Sequence, residues 1–545
     1  MEYFSVKTKF ESNKKYIFDN KNCDIFLSDT KSLNEDMGEA VFIKVLDNIA
    51  FLLKDLENVT LNFNNSKLIF NGAIKPFFIY NCKNITIKNL QTDYSGLPYF
   101  QAEIIEAEKG KLKVKIDDSV NYEIINKGLK IKDKAWGEIE LNKVICLGQV
   151  FDKTTKVPVN CSTFLGSFGE KLNIDHNPTG VSLNQVLVEK ADKGCVRFYG
   201  DFDDSYLNQV GQIIAVIYTE RANPIVSIIK SKNITLENIR SFCGDSAGIL
   251  GFRSENIFIK DFKCFLDSSC KGVISINADA IHCSFCSGKI TVDGCIFENM
   301  LDDGVNIHGN YVLVEKNEGN KITALIPKKH LENCRFFEKG DGIVIYKSYS
   351  QEIIDKALIK DVKYIDGKII EIILDKEVKV KQNDLIESML MPEIEIINSR
   401  IGKNRPRGVL LSSTKKSIVR NCHFIEAIGC AIHFTGDNNL WYESGPVGDV
   451  LIEDCIFENC CIGGGLNYVI MATPEVILTP KVPYYHRNIK IINNKFIIMT
   501  GGMLYAENAK NIVFKGNKYI LSDKYKIKNL GDKVLLKDCS DCEVE

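Results

Sequence analysis

Ile290-Thr291-Val292-Asp293-Gly294-Cys295-Ile296-Phe297 decides the fold. Aliphatic and polar residues alternate for four positions, a glycine follows, and the phrase closes on an aromatic ring. Alternation with period two is the mark of a strand, and the glycine supplies a residue that tolerates a left-handed turn. The phrase recurs as Ser417-Ile-Val-Arg-Asn-Cys-His-Phe424, Val450-Leu-Ile-Glu-Asp-Cys-Ile-Phe457, Ile489-Lys-Ile-Ile-Asn-Asn-Lys-Phe496 and Ile512-Val-Phe-Lys-Gly-Asn-Lys-Tyr519. Weaker copies begin at Val59, Ile85, Ile234, Ile257 and Ile394. One short strand at a base period of roughly 23 residues, with almost no helical periodicity between copies, predicts a coil of two or three strands stacked on the next coil. The expected fold is all-β: a right-handed parallel β-helix, a solenoid, with the recurring cysteine as a small apolar group in an interior stack.

Two intervals between copies are far longer than the period, from Ile85 to Ile234 and from Ile290 to Ile394. Both contain alternating stretches, such as Lys111-Leu-Lys-Val-Lys-Ile116 and Ile369-Ile-Glu-Ile-Ile373. They read as two inserted small antiparallel β domains that interrupt the solenoid without ending it. The expected organisation is N-terminal coils over 1–96, an insertion over 97–225, central coils over 226–309, a second insertion over 310–392 and C-terminal coils over 393–545.

Outward from these repeats, the composition is that of a folded protein. The 545 residues carry 69 Lys and Arg against 71 Asp and Glu, a net charge of −2, and no stretch concentrates basic residues. A nucleic-acid partner is therefore disfavoured. No apolar run approaches the ~20 residues of a membrane-spanning helix, so no membrane partner is expected. The first twenty residues lack the apolar core of a secretory leader. With 19 scattered cysteines, the chain reads as cytoplasmic with reduced thiols, or as secreted if a leader has been removed. Cys283 to Cys286 and Cys539 to Cys542 are Cys-x-x-Cys pairs far apart in the chain with no histidine at zinc-finger spacing, so no metal is expected.

A second column aligns on a small residue before an aliphatic one: Gly248-Ile249, Ala280-Ile281, Gly304-Val305, Gly408-Val409 and Ala431-Ile432. If the aliphatic members point inward, alternation turns the small ones outward, and they would form the shallow floor of a groove. Asp279, Asp303 and Arg407 stand one residue before the small position, with Asp302 one earlier, and His282, Asn306 and His433 stand two after it. Asp279, Asp302 and Asp303 would then crowd into about one rung. Like charges so close raise at least one pKa, which separates a proton donor from a proton acceptor. An isolated Asp-Asp-Gly is usually a solvated turn. The repeated acid one coil away, with His282, Asn306 and His308 alongside, favours chemistry instead.

Three further features border this groove. His308 before Gly309 reads either as a structural group or as part of the site. Asn404-Arg405-Pro406-Arg407 reads either as an exposed basic turn or as a grip on sugar hydroxyls. Trp441-Tyr442-Glu443-Ser444-Gly445 holds one of only two tryptophans in the chain. An aromatic ring beside a carboxylate suits stacking on a pyranose and bonding its hydroxyls, with core packing as the alternative.

Taken together, Asn277-Ala278-Asp279-Ala280-Ile281-His282, Leu301-Asp302-Asp303-Gly304-Val305-Asn306-Ile307-His308-Gly309, Asn404-Arg405-Pro406-Arg407-Gly408 and Trp441-Tyr442-Glu443-Ser444-Gly445 resemble glycoside hydrolase family 110, the α-1,3-galactosidases. The resemblance implies an inverting exo-hydrolase that removes terminal α-1,3-linked galactose from an oligosaccharide or glycan, blood-group-B-type or linear. It places Asp279, Asp302 and Asp303 in the catalytic centre. Trp441 and Glu443 would hold the terminal sugar, assisted by Arg405 or Arg407 and His308, with His282 and Asn306 lining the groove. Inversion needs an acid and a base ~6.5–9.5 Å apart and demands no metal or cofactor. Family members are commonly exported, which this sequence does not show. The alternatives are a polygalacturonase-like β-helix hydrolase, whose Gly-His-Gly and Arg-x-Lys segments are missing here, and a glycan-binding β-helix without turnover.

Overall fold

The computed structural model describes residues 2–18, 22–33, 46–170, 183–192, 194–463, 468–476 and 484–545. Among these, two long sheets of 20 and 12 strands run the length of the molecule, parallel except for one two-residue strand beside the smaller, the walls of a parallel β-helix. The repeat explains the coil. Its fifth residue is left-handed in every clear copy, with φ of 64° at Gly294, 52° at Asn421, 54° at Asp454, 58° at Asn493 and 67° at Gly516. Asparagine, aspartate and glycine adopt this conformation at little cost. The turns also lock to one another, because Asn421 Nδ2 donates to Asn398 Oδ1 at 2.8 Å and Asn511 Nδ2 to Asn488 Oδ1 at 2.8 Å.

The aromatic position of the repeat fills the interior. Phe424 and Phe457 stack with centroids 5.1 Å apart and planes 13° from parallel, and Phe457 and Phe496 at 4.8 Å and 18°. Cys295, Cys422 and Cys455 are buried in the same core. Each buried ring contributes roughly 1.5–3 kcal/mol through loss of apolar surface from water.

Five strands of the smaller sheet position the site: β1 (Ile249–Phe252), β2 (Ile281–Ser284), β3 (Val305–Asn310), β4 (Val409–Leu411) and β5 (Ile432–Phe434). Parallel pairing sets Ile249, Ile281, Val305, Val409 and Ile432 in one row, all within the core, and Leu250, His282, Asn306, Leu410 and His433 in the next.

The small column does not form the floor of a groove. A Cβ added to Gly248 would lie 2.6 Å from the Ala280 carbonyl oxygen and 3.5 Å from the Phe262 ring, and one on Gly408 would lie 2.9 Å from Phe424 Cδ1. Ala280 and Ala431 are themselves members of the core. Alternation fails here because the strands begin only at the aliphatic residue. The small residue lies in the preceding bend, where the next coil's backbone and a core ring leave no room for a side chain. The polar row of His282 and Asn306, with the aspartates of the bends, lies outside the apolar core instead, though nearly enclosed.

Both long intervals hold closed barrels. Seven strands between Tyr99 and Ile217 close the first, with a three-stranded meander from Asn121 to Glu140 beside it. One pair in that barrel, Gly166 with Asn184 onward, is parallel rather than antiparallel. The connection between those strands exceeds the dozen or so residues that a parallel crossover requires. Six antiparallel strands between Val312 and Ser388 close the second. The first barrel packs Tyr99, Phe151 and Ile217 against Ile274 and Leu301, beside the aspartate turn. The core of the second continues onto Phe252 and Phe285 at the far ends of the same strands. The two insertions therefore flank the outer face that carries the acids.

Candidate active site

Asp279 and the pair Asp302-Asp303 lie in the bends that precede β2 and β3, so neighbouring coils bring them together. The backbone N–H of Asp303 donates to Asp279 Oδ1 at 2.9 Å. One oxygen from each of the three carboxylates lies within 4.8 Å of the others. Asp279 and Asp303 are almost fully enclosed, at 4% and 1% exposure, whereas the Asp302 side chain remains 22% exposed.

Arginines divide the three acids. Arg407 meets both oxygens of Asp303, Nε to Oδ1 at 3.0 Å and Nη2 to Oδ2 at 2.8 Å, and its backbone N–H adds a bond to Oδ1 at 3.0 Å. Arg405 donates from Nε to the Leu301 carbonyl at 2.9 Å and holds Nη2 3.7 Å from Asp302 Oδ1. Both arginines of the Asn-Arg-Pro-Arg turn thus face the acids. Arg221, which sequence reasoning missed, donates from Nη1 to Asp302 Oδ2 at 3.0 Å. It sits where the chain leaves the first barrel, in a segment with no repeat register, so only the return of an insertion to the acidic turn could have pointed to it.

The electrostatic consequence is a split. Burial, joined by the charges of Asp302 and Glu443, raises the Asp279 carboxyl well above its ordinary value. Burial also pushes Asp303 up to about 7, against the pull of Arg407. For Asp302 burial acts in the same direction, but Arg405, Arg221 and Arg407 outweigh it and hold the group below the usual carboxylate range. The surroundings thus favour the neutral acid at Asp279 and the carboxylate at Asp302.

The polar row completes the site. His282 Nδ1 lies 2.6 Å from Asp279 Oδ2, and His282 Nε2 faces His308 Nε2 at 3.2 Å. His308 Nδ1 donates to the Gly309 carbonyl at 2.6 Å. Glu443 comes from a two-residue strand, β6 (Glu443–Ser444), paired antiparallel to the end of β3 with Gly309 opposite Ser444. Its Oε1 lies 3.6 Å from His308 Nε2, and Asn306 bonds its carboxylate. The loop before it is shaped by Asp437, whose carboxylate accepts the backbone N–H groups of Asn439, Leu440 and Trp441. Trp441 is 42% exposed, and its ring meets His330 of the second barrel segment edge-on at 5.3 Å. Glu443 therefore reaches the acids' neighbourhood, while Trp441 lies toward its rim.

Three carboxylates this close could bracket a cation, yet Arg221 and Arg407 already occupy lone pairs of Asp302 and Asp303. A resident metal fits this arginine-filled arrangement poorly. A buried neutral acid beside an ionised carboxylate instead suits cleavage of a bond whose leaving oxygen needs a proton while water needs a base.

A family model described as a right handed beta helix region matches residues 279–479, which fixes the hand of the coil. An α-1,3-galactosidase A of Bacteroides fragilis (strain YCH46) is 25% identical over 484 residues, covering 88% of this chain and 76% of that protein. An α-1,3-galactosidase B of Bacteroides thetaiotaomicron is 27% identical over 486 residues, with the same coverages. Among solved structures, the A-module of mannuronan C-5 epimerase AlgE4 of Azotobacter vinelandii is 8% identical with a TM-score of 0.32, covering 96% of this chain and 91% of that one. The family 28 exopolygalacturonase of Yersinia enterocolitica is 10% identical with a TM-score of 0.28, covering 97% and 80%.

Proposed function

We infer that this chain, a glycoside hydrolase with the α-1,3-galactosidases of glycoside hydrolase family 110 as its relatives, removes the terminal α-1,3-linked galactose of an oligosaccharide with inversion at the anomeric carbon. The observation that carries the reading is the contrast between two neighbouring carboxylates, Asp279 enclosed with no arginine on it among the described residues and Asp302 paired with Arg221 and Arg405, which raises the first and lowers the second. Asp279 gives its proton to the glycosidic oxygen as the bond from C1 to that oxygen breaks. Asp302 takes a proton from the water that attacks C1, and Asp303, fixed by Arg407, holds that water from a second side. The products are galactose and the shortened glycan with a free hydroxyl. Glu443 and Asn306 accept and donate hydrogen bonds to the sugar hydroxyls.

The arginines bear on the substrate class. Arg221 and Arg407 are committed to Asp302 and Asp303, so they are not available to bind the carboxylate of a uronic acid. A neutral sugar suits the site better than polygalacturonate. Blood-group-B-type and linear α-1,3-galactosyl glycans both fit this description. The 19 cysteines, most of them buried, favour action in a reducing compartment.

One observation favours a second stereochemistry. The nearest carboxylate oxygens lie within 4.8 Å, closer than the ~6.5–9.5 Å at which a single acid and base straddle a water. Direct attack of Asp302 on C1, with retention, would use such a spacing. The inverting reading is preferred because a water forked between Asp302 and Asp303 need not fit on the line joining them to Asp279. Proton NMR of the first sugar released from an α-1,3-linked galactose disaccharide tests both readings. β-Galactose supports inversion, α-galactose supports retention, and no galactose release defeats the proposed activity.

A further inference from the structure

His282 and His308 are buried side chains with no bond-breaking role in the reaction just described. Three of their hydrogen bonds nevertheless run in one line, from the Gly309 carbonyl to Asp279. The Gly309 carbonyl only accepts, so His308 Nδ1, 2.6 Å away, carries a hydrogen. If His308 is neutral, its Nε2 is unprotonated and accepts from the ring nitrogen facing it. That nitrogen is His282 Nε2, at 3.2 Å. If His282 is neutral as well, its own hydrogen is spent there and Nδ1 is unprotonated. The 2.6 Å contact between His282 Nδ1 and Asp279 Oδ2 then needs its hydrogen from the carboxyl group. The other Asp279 oxygen fits this count, because Oδ1 accepts the N–H of Asp303 as a carbonyl oxygen should.

We propose that His308, anchored on the Gly309 carbonyl, locks His282 in the tautomer protonated at Nε2, and that this lock holds the proton on Asp279 Oδ2 for the cleavage step. The proposal rests on the reading of Asp279 as the general acid. His282 and His308 are positioning residues that act through it. Burial lowers the pKa of both imidazoles, which favours the neutral rings the count assumes. The opposing influences are the carboxylates that face the rings, Glu443 from β6 and Asp302 and Asp303 from the bend before β3, which favour a charged imidazole. Arg407 and Arg221 stand behind those carboxylates and offset part of that charge.

The lock also accounts for resetting the acid. When Asp279 gives its proton to the leaving oxygen, a carboxylate is left facing an unprotonated nitrogen. Two acceptors at that distance repel, so the link takes up a proton from solvent, while Asp302 releases to solvent the proton it removed from water. Protons balance over one turnover.

The test reads the tautomer directly. In the full chain labelled with 15N only at its seven histidines, the long-range 1H–15N spectrum separates protonated from unprotonated ring nitrogens, and His282 is assigned by the signal lost in His282→Gln. The expected result at pH 7 is His282 protonated at Nε2 and not at Nδ1. A hydrogen on His282 Nδ1, with either tautomer or charge state of His308, overturns the proposal. This measurement needs no turnover, so it stands apart from the galactosidase reading. A second arm uses activity. In His308→Leu, His282 is freed to donate from Nδ1 and so to favour the Asp279 carboxylate, and the alkaline limb of the kcat/KM profile should move down by about one pH unit. In His308→Gln, whose side-chain carbonyl can still accept from Nε2, the limb should stay within a few tenths of the parent. An alkaline limb unmoved in His308→Leu, with the fold intact by circular dichroism, also overturns it.

Discussion

Arg407 and Asp303, one coil apart, form a two-point ion pair with bonds of 3.0 and 2.8 Å, and the Asp303 side chain is shut off from water. Removing one member of such a pair leaves an unneutralised group in a poorly solvated place. Arg407→Met is expected to lower stability by about 3 kcal/mol and kcat by more than a hundredfold. Arg407→Lys, which keeps the charge but loses the fork, should fall between them. The double variant Arg407→Met with Asp303→Asn should be more stable than the Arg407→Met single, because the stranded carboxylate is gone. Thermal melts of the parent, Arg407→Met, Asp303→Asn and the double variant check this, and simple additivity would contradict the buried pair.

Arg221 sets the acidic limb of activity. Its guanidinium is one of the three that hold Asp302 below the ordinary carboxylate range. A base works above its pKa, so activity should fall as pH drops through the Asp302 value. Arg221→Met raises that value, and the acidic limb of kcat/KM should move to higher pH by about one unit. The alkaline limb, which belongs to Asp279, should move much less. A profile that shrinks without shifting would assign Arg221 a packing role only.

The coils, their turns and their interior stack are legible in the sequence for a simple reason. Each repeat must supply a residue that tolerates positive φ, such as Asn421 or Gly516, and a ring for the stack, such as Phe457. Those demands recur at every coil and leave a periodic trace. Asp279, Asp302 and Asp303 are legible because they occur in register with that trace. What lies off the register is hidden. Arg221 arrives from the exit of a barrel, and its partner Asp302 is 81 residues further along the chain. The small column misleads for a different reason, since alternation holds only inside a strand and Gly248 and Ala280 lie in the bend before one. For Trp441, composition marks the residue as unusual but says nothing of the His330 ring that it meets.

Two buried histidines on the C-terminal side of the site make the fold sensitive to acid. Burial pushes the His433 and His486 imidazoles down to about 3. Their folded pKa lies below the unfolded value of about 6.5, so the unfolded chain binds more protons as pH falls. The stability they contribute is present above about pH 6.5 and is lost progressively toward pH 3. Melting temperature should therefore fall between pH 6.5 and pH 4, with a shallower slope in His433→Gln. An equal slope in that variant would show that His433 charges freely in the native state.

The stack of rings has its own cost of removal. Phe457 lies between Phe424 and Phe496 with no exposed surface. Phe457→Ala leaves a cavity that the rigid coils on either side cannot close. A loss of about 3–5 kcal/mol is expected, against roughly 1 kcal/mol or less for Phe457→Leu if the leucine repacks. Urea unfolding measures both, and similar losses would mean that the geometry of the ring stack, rather than the volume filled, carries the stabilisation.

The division of labour between Asp279 and Asp302 is separable through the leaving group. A glycosidic oxygen attached to a sugar leaves only when protonated, whereas a dinitrophenolate leaves unaided. Asp279→Asn should lower kcat/KM on an α-1,3-linked disaccharide by about 10²–10⁴, the range of general acid catalysis, but by less than about tenfold on dinitrophenyl α-galactoside. Asp302→Asn should lower both by similar large factors, because the water lacks its base whatever the leaving group. The comparison is internal to each variant, so a modest loss of folded protein cannot imitate it. If Asp279→Asn loses both substrates equally and Asp302→Asn spares the activated one, the acid and base are the reverse of the assignment that the arginines around Asp302 support.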